Sequence, residues 1–323
     1  MKWSTKSAKG THMIAVEQDY TKFIQKGFNA PDEGKGRLPD FIGLGVRRCA
    51  STYLQNMLMQ HPELAFPRIS PDVPFCCDPG FFEKLKKEGP FILKESHMWT
   101  PFYLDWKQKL GYLNTYKRLF EHAQPWQKAG EVSAIYLLFL TYGNFIGDFK
   151  KILPHVKLFF TIRNPVERLI SDFFHWPPNE EENPDFEACV NTIAWRVSNN
   201  QVNTVDYHNR LFLTGFYHNS IQRLYQYFPI DQVHIILFEE IKENPKVALR
   251  RLCRFLDIDE GFEFRDIEKP VKPALVEKSY KKRNTATAEQ KQKLIDLYRP
   301  SILNLSKIIN RDLTGWLDVE SIN

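Results

Sequence analysis

The run KLFFTIRNP, from Lys157 to Pro165, sets Leu158, Phe159, Phe160 and Ile162 around a single Thr161 and stops at Asn164-Pro165. A strand that is apolar at consecutive positions has no face to give to water, so it belongs in a sheet covered on both sides. Parallel sheets with helices on both faces supply that environment. DFIGLGV, from Asp40 to Val46, and VHIILFEEI, from Val233 to Ile241, read as further strands, and PFILKES, from Pro90 to Ser96, as a shorter one. Helical patterns follow: STYLQNMLMQHP, ended by His61-Pro62, a stretch from Tyr112 to His122, and VERLISDFFHW. Others run from Leu211 to Phe228, from Leu249 to Leu256, and across Leu294, Ile295, Leu297 and Tyr298 near the end. GEVSAIYLLF reads as a turn leading into a helix, PPNEEENPDF as an exposed acidic flap and EKSYKKRNTATAEQ as a basic loop.

Strands alternating with helices define an α/β fold with a central parallel sheet flanked by helices. No internal repeat and no domain-scale linker interrupts it. One domain is expected over residues 37–323, after a polar extension over residues 1–36. The opening MKWSTKSAKGTHM lacks the apolar core of a signal peptide, and its GTHM reads as a cloning remnant.

Bulk properties narrow the function classes. The 323 residues carry 44 Lys+Arg against 39 Asp+Glu, a net charge of +5. That mild excess permits an anionic ligand but does not describe a nucleic-acid surface. No apolar run of about 18 residues suggests a membrane span. The 5 cysteines include the adjacent Cys76-Cys77 and form no C-x-x-C, which argues against a disulfide framework or a zinc site and for a reducing, cytoplasmic setting.

Chemistry enters at FIGLGVRRCASTYLQNMLMQHPE, Phe41 to Glu63. The turn between strand and helix has the spacing of a phosphate-binding loop, G-x-x-x-x-G-K-[ST], opened by Gly45. Ala50, Ser51 and Thr52 stand where that pattern has Gly, Lys and Ser or Thr. Such a turn aims backbone N–H groups and the positive end of a helix at an anion. Without the lysine, charge compensation falls to Arg47 and Arg48. Arg163, at the carboxyl end of KLFFTI, adds to them, because ligands of open α/β sheets sit at that edge. The bland reading, a strand–turn–helix of small residues with solvated arginines, stands beside this one.

Together these elements resemble the sulfotransferases that use 3′-phosphoadenosine 5′-phosphosulfate (PAPS). FIGLGVRRCASTYLQNMLMQHPE is similar to their 5′-phosphosulfate loop and LFFTIRNPVERLISDFF to their 3′-phosphate motif, strand–RNPxERxxSxx–helix. ILKESH resembles the K-E-x-H segment of the heparan-type branch and GEVSAIYL its G-E-x-S-P-x-Y segment; SYKKRN and RDLTGW also fit. The resemblance runs from Asp40 to Trp316. It implies a P-loop nucleotide-binding-like fold and in-line sulfuryl transfer with PAPS as co-substrate, PAP as product and no metal.

Carried over residue by residue, the resemblance implies the following roles. Arg48 replaces the loop lysine that holds the bridging and 5′-phosphate oxygens, and it stays charged without donating a proton. Arg47, Cys49, Ala50, Ser51, Thr52 and Tyr53 form the rest of the phosphate loop, with Ala50 in place of a glycine. Cys49 reads as packing, since no base accompanies it. Arg163 and Ser171 match the 3′-phosphate pair. Lys281, Lys282 and Arg283 match the loop that closes over the nucleotide. Glu95 matches the general base. His97 is either a partner of Glu95 or a substrate contact, and Lys94 contacts the sulfate.

The acceptor is read from the residues around Glu95. Trp99, Phe102 and Tyr103, joined by Trp176, would form an aromatic wall. With the acidic flap and with Val132 where heparan enzymes commonly carry lysine, the wall suits a neutral or cationic small molecule, a hydroxyl or amine of a secondary metabolite. Aromatic core and a solvated acidic loop are the alternative, and a heparan-like glycan is the other acceptor class. A magnesium-dependent P-loop kinase and a non-catalytic nucleotide-binding protein remain the other functional classes.

Overall fold

The computed structural model describes residues 34–69, 91–92, 96, 98–99, 112–175, 185–202, 206–268 and 286–322. Within them a five-stranded parallel sheet holds β1 (Phe41–Gly43), β2 (Leu64–Ala65), β5 (Lys128–Val132), β6 (Lys157–Ile162) and β7 (Val233–Leu237). The spatial order is β2-β5-β1-β6-β7, every pairing parallel. β3 (Arg68–Ile69) and β4 (Phe91–Ile92) form a separate antiparallel ribbon, so the strand expected in PFILKES lies outside the main sheet.

Alternation along the central strands splits the core in two. Ile42 of β1 and Leu44 just after it, with Leu158, Phe160 and Ile162 of β6, face one apolar cluster. Phe41 and Phe159 face the other, with Val132 and Ile236. Helix α1 (Ser51–Leu58) covers the second face. The first is covered by α3 (Tyr136–Tyr142) and α4 (Ile146–Ile152), reached after α2 (Tyr112–Arg118), and by α5 (Pro165–His175). A sheet sandwiched in this way is what the apolar run of β6 demanded. β1 and β5 approach closely at Gly130, where a Cβ would meet the Phe41 ring at 2.4 Å. Phe41 in turn stacks on Phe159 with centroids 6.3 Å apart.

The remaining elements are α6 (Phe186–Ser198), α7 (Tyr207–Leu213), α8 (Tyr217–Tyr225), α9 (Phe238–Glu243), α10 (Pro245–Leu256) and α11 (Ala288–Ile309). GEV closes strand β5 rather than forming a turn. The helix expected over Leu211–Phe228 is two, α7 and α8, broken at Gly215, where a Cβ would meet the Tyr298 side chain at 2.8 Å and Pro165 at 2.9 Å. FEEI is helix α9 rather than strand, because Glu240 reaches back to accept from the Leu237 N–H at 3.1 Å and starts a helix there.

Candidate functional site

The loop leaving β1 continues the ladder with β6 before it turns. Leu44 N–H donates to the Phe159 carbonyl at 2.8 Å, and Thr161 N–H to that of Gly45 at 2.8 Å. Gly45 has φ +114°, and a Cβ there would lie 2.6 Å from the Ala134 carbonyl oxygen. Arg48 and Ala50 follow at φ 66° and 68°. Ala50 therefore keeps the left-handed geometry that glycine adopts at no steric cost. It is also the N-cap of α1, which has no side-chain cap and no acid in its first turn. The first amides of that helix are left for an outside acceptor.

Two neighbouring residues of the loop are tied to two neighbouring residues of α5. Arg48 Nε donates to Ser171 Oγ at 2.9 Å, across 123 residues of chain. Arg47 Nη2 lies 2.9 Å from Asp172 Oδ1. Asp172 also pairs with Arg168 Nη1 at 3.1 Å, and Arg168, with no exposed surface, donates through Nη2 to the Leu211 carbonyl. At the end of β6, Arg163 places Nε 2.7 Å and Nη2 2.6 Å from Glu167 Oε2, with its guanidinium 4.7 Å above the Phe238 ring. The two sequence motifs thus meet in one cationic corner at the carboxyl edge of the sheet.

Burial pushes the Arg48 guanidinium below its ordinary value; Asp172 opposes this, while Arg163 and Arg47 add to it. Among the described residues the Nη1 and Nη2 groups of Arg48 make no hydrogen bond or ion pair. A desolvated cation crowded by two others gains from an oxyanion in a way a surface arginine does not. Burial pushes the Glu239 carboxyl, also beside Arg163, above its ordinary value, and Arg163 opposes that shift.

Ser51 is buried at the start of α1 and Thr52 is exposed beside it. Tyr53 turns away: its hydroxyl donates to the Ile267 carbonyl at 3.0 Å and its ring packs in the second cluster, so only its backbone belongs to the loop. Trp99 corrects the expected aromatic wall. It is fully buried, lies edge-on to Phe149 at 4.5 Å, and donates from Nε1 to the Tyr116 hydroxyl at 3.2 Å. Val132 is core as well, at 2% exposure. Lys94, Glu95, His97, Phe102, Tyr103, Trp176, Lys281, Lys282 and Arg283 lie outside the described residues. Sequence reasoning missed Arg168 and Asp172, although their i,i+4 spacing on one helix was a visible signal.

Cys49 sits under the loop with its Sγ 3.9 Å from the Tyr217 hydroxyl. Burial pushes its thiol up to about 12, against the opposing pull of Arg168 and Arg163. Iodoacetamide at about pH 8 is therefore expected to leave Cys49 unmodified in the native protein and to alkylate it in urea. Peptide mass spectrometry reads the outcome; native labelling would contradict the packing role.

The sulfotransferase family model matches residues 39–263, and the chain belongs to that family. It is 23% identical over 308 residues to the bifunctional heparan sulfate N-deacetylase/N-sulfotransferase 2 of Bos taurus, covering 88% of this chain and 31% of that protein. It is 24% identical over 300 residues to the heparan sulfate glucosamine 3-O-sulfotransferase 3A1 of Mus musculus, covering 88% of this chain and 66% of that one. The chain thus spans less than two thirds of these relatives. A solved sulfotransferase from Alicyclobacillus acidocaldarius shares the fold, with a TM-score of 0.61 and 23% identity over 87% of this chain and 100% of that one.

Proposed function

We propose that this chain moves the sulfuryl group of PAPS onto a hydroxyl or amine of a small acceptor. The observation that carries the reading is the 2.9 Å bond from Arg48 to Ser171, which closes the loop after β1 onto the helix after β6. It draws the Arg48 guanidinium, the uncapped start of α1 and Arg163 together. A nucleotide bearing phosphate groups at both its 3′ and 5′ positions needs two such anion sites joined at one sheet edge.

In this reading Ser51, Thr52 and the amides from Ala50 to Thr52 hold the 5′-phosphate, with Arg48 at the bridging oxygen; the Cys49 N–H is used within the loop, donating to the Val46 carbonyl at 3.1 Å. Arg163 and Ser171 hold the 3′-phosphate, and Lys281, Lys282 and Arg283 close over the nucleotide. The acceptor oxygen or nitrogen forms the new bond to sulfur. The bond from sulfur to the bridging oxygen breaks, and its electron pair stays on the phosphate of PAP. Glu95 takes the acceptor's proton, with His97 beside it, and no metal is required.

Cys49, Cys189 and Cys253 are free and buried, which supports a reducing, cytoplasmic setting. Among the described residues no helix is long and apolar enough to cross a membrane. The small acceptor, with no nucleic acid and no membrane as partner, rests on the acidic sequence PPNEEENPDF alone, since Val132 is core and faces no acceptor. The names of the two heparan sulfate relatives favour a glycan instead.

Transfer of labelled sulfate from PAPS to neutral, cationic and polyanionic acceptors, in EDTA, tests both readings. Transfer to small acceptors is expected to persist without metal and to fall about 10²- to 10⁴-fold in Glu95→Gln. Turnover confined to polyanionic glycans would move the chain to the second reading, and absence of PAP binding would overturn both.

A further inference from the structure

Glu131 belongs to the GEVSAIYL segment, yet none of the proposed steps uses it. It lies on β5 opposite Ile42, one residue before the strand ends, and has no exposed surface. Its Oε1 accepts from the Tyr116 hydroxyl at 2.6 Å and from the Tyr136 hydroxyl at 3.2 Å. Its Oε2 accepts from the backbone N–H of Ser96 at 3.3 Å. Ser96 Oγ lies 3.0 Å from the Tyr136 hydroxyl and accepts from the Met98 N–H at 3.3 Å. Trp99 donates to Tyr116, so Ser96 is held by this carboxyl group directly, Trp99 through Tyr116 and Met98 through Ser96.

A buried carboxyl is costly unless its oxygens are satisfied. Burial pushes Glu131 above its ordinary value, and the hydrogen bonds from Ser96, Tyr116 and Tyr136 oppose that shift. Tyr116 is itself held well above its ordinary range, first by burial and then by Glu131, so it stays a donor. Both oxygens act as acceptors, and the donors come from α2, α3 and the stretch around Ser96. Simple apolar packing would have closed this space without a carboxyl group, and the cost is repeated nowhere else on β5.

We infer that Glu131 is a positioning residue: a buried carboxyl that holds Ser96, the residue next in sequence to the proposed base Glu95, against the carboxyl end of β5. The inference rests on the reading of Glu95 as the base. Glu131 would touch neither nucleotide nor acceptor. It would fix the backbone at Ser96, and an error of about 1 Å in placing a catalytic group is enough to cost on the order of 100-fold in rate.

Glu131→Gln keeps the size of the side chain. Its carbonyl can still accept from the tyrosines, but its NH₂ faces the Ser96 N–H, donor against donor. Tyr136→Phe cuts the link to Ser96 Oγ and leaves the carboxyl group in place. In both variants the full chain is expected to bind PAP within about 2-fold of wild type while kcat falls about 10- to 100-fold. Amide exchange in peptides covering residues 96–99 is expected to accelerate, with the α1 and β6 peptides unchanged. Loss of PAP affinity in parallel with kcat, faster exchange throughout the sheet, or unchanged kcat and unchanged exchange would each overturn the inference. The exchange measurement stands on its own: a wild type that transfers no sulfate defeats the functional reading, whereas unaltered exchange at residues 96–99 defeats the positioning role.

Discussion

Arg48→Ala is expected to lower kcat/KM for sulfate transfer by about 10²- to 10³-fold and to weaken PAP binding in calorimetry. Removing one preorganised donor from developing charge costs on the order of 3 kcal/mol in a desolvated site. The Arg48 side chain meets that condition, being displaced from its ordinary pKa mainly by burial and crowded by Arg163 and Arg47. It also spans the two halves of the site through Ser171. Arg48→Lys is the informative companion. It restores the charge, and in the sulfotransferases this chain resembles a lysine stands at the matching position, so it should recover most of the loss. It cannot reproduce a planar fork, so the recovery should be incomplete in PAP affinity. PAP affinity and transfer both at wild-type level in Arg48→Ala would remove the loop from the proposed mechanism.

The second large effect concerns stability. Arg168→Met is expected to lower the unfolding free energy by about 3–5 kcal/mol, read from urea denaturation. Arg168 is wholly buried, and its loss leaves Asp172, itself 5% exposed, with its ion pair to Arg47 and the charge of the nearby Arg48 but without its buried partner. The Leu211 carbonyl loses its donor in the same stroke. Much of the cost comes from the charge left behind, not from the pair itself. Arg168→Met combined with Asp172→Leu should therefore be less destabilised than the sum of the two single variants. Additive single effects would show that the pair is not coupled.

The two residues that anchor the loop to α5 sit side by side, which explains what the sequence could and could not disclose. β1 and β6 were legible because apolar runs report burial directly; Arg48, Ser51 and Arg163 were singled out from the loop spacing and the strand end, whereas Ser171 came only from the resemblance. β5 was not: Gly130 and Glu131 look like a turn until Phe41 is seen to cover the glycine and Tyr116, Tyr136 and Ser96 to satisfy the acid. All of those partners except Tyr136 are distant in the chain. The close packing at Gly215 has the same character, since Tyr298 and Pro165, which crowd it, are distant in the chain. Trp99 was expected on an open wall and is core, because an aromatic run shows that surface will be buried but not what will bury it. Helix α6 went unseen beside the acidic flap, although Asp185, accepting from the Ala188 N–H at 2.9 Å, is an ordinary N-cap.

The strand order has a consequence for how the protein is made. β1 leaves the ribosome well before its two neighbours, Lys128–Val132 and Lys157–Ile162. At ordinary elongation rates the central strand waits several seconds, exposed, for partners on both edges. The phosphate loop cannot be assembled during that interval, because its ladder to β6 and its anchors on α5 are still inside the ribosome. A nascent chain halted before His175 should therefore be a client of chaperones rather than a small folded unit.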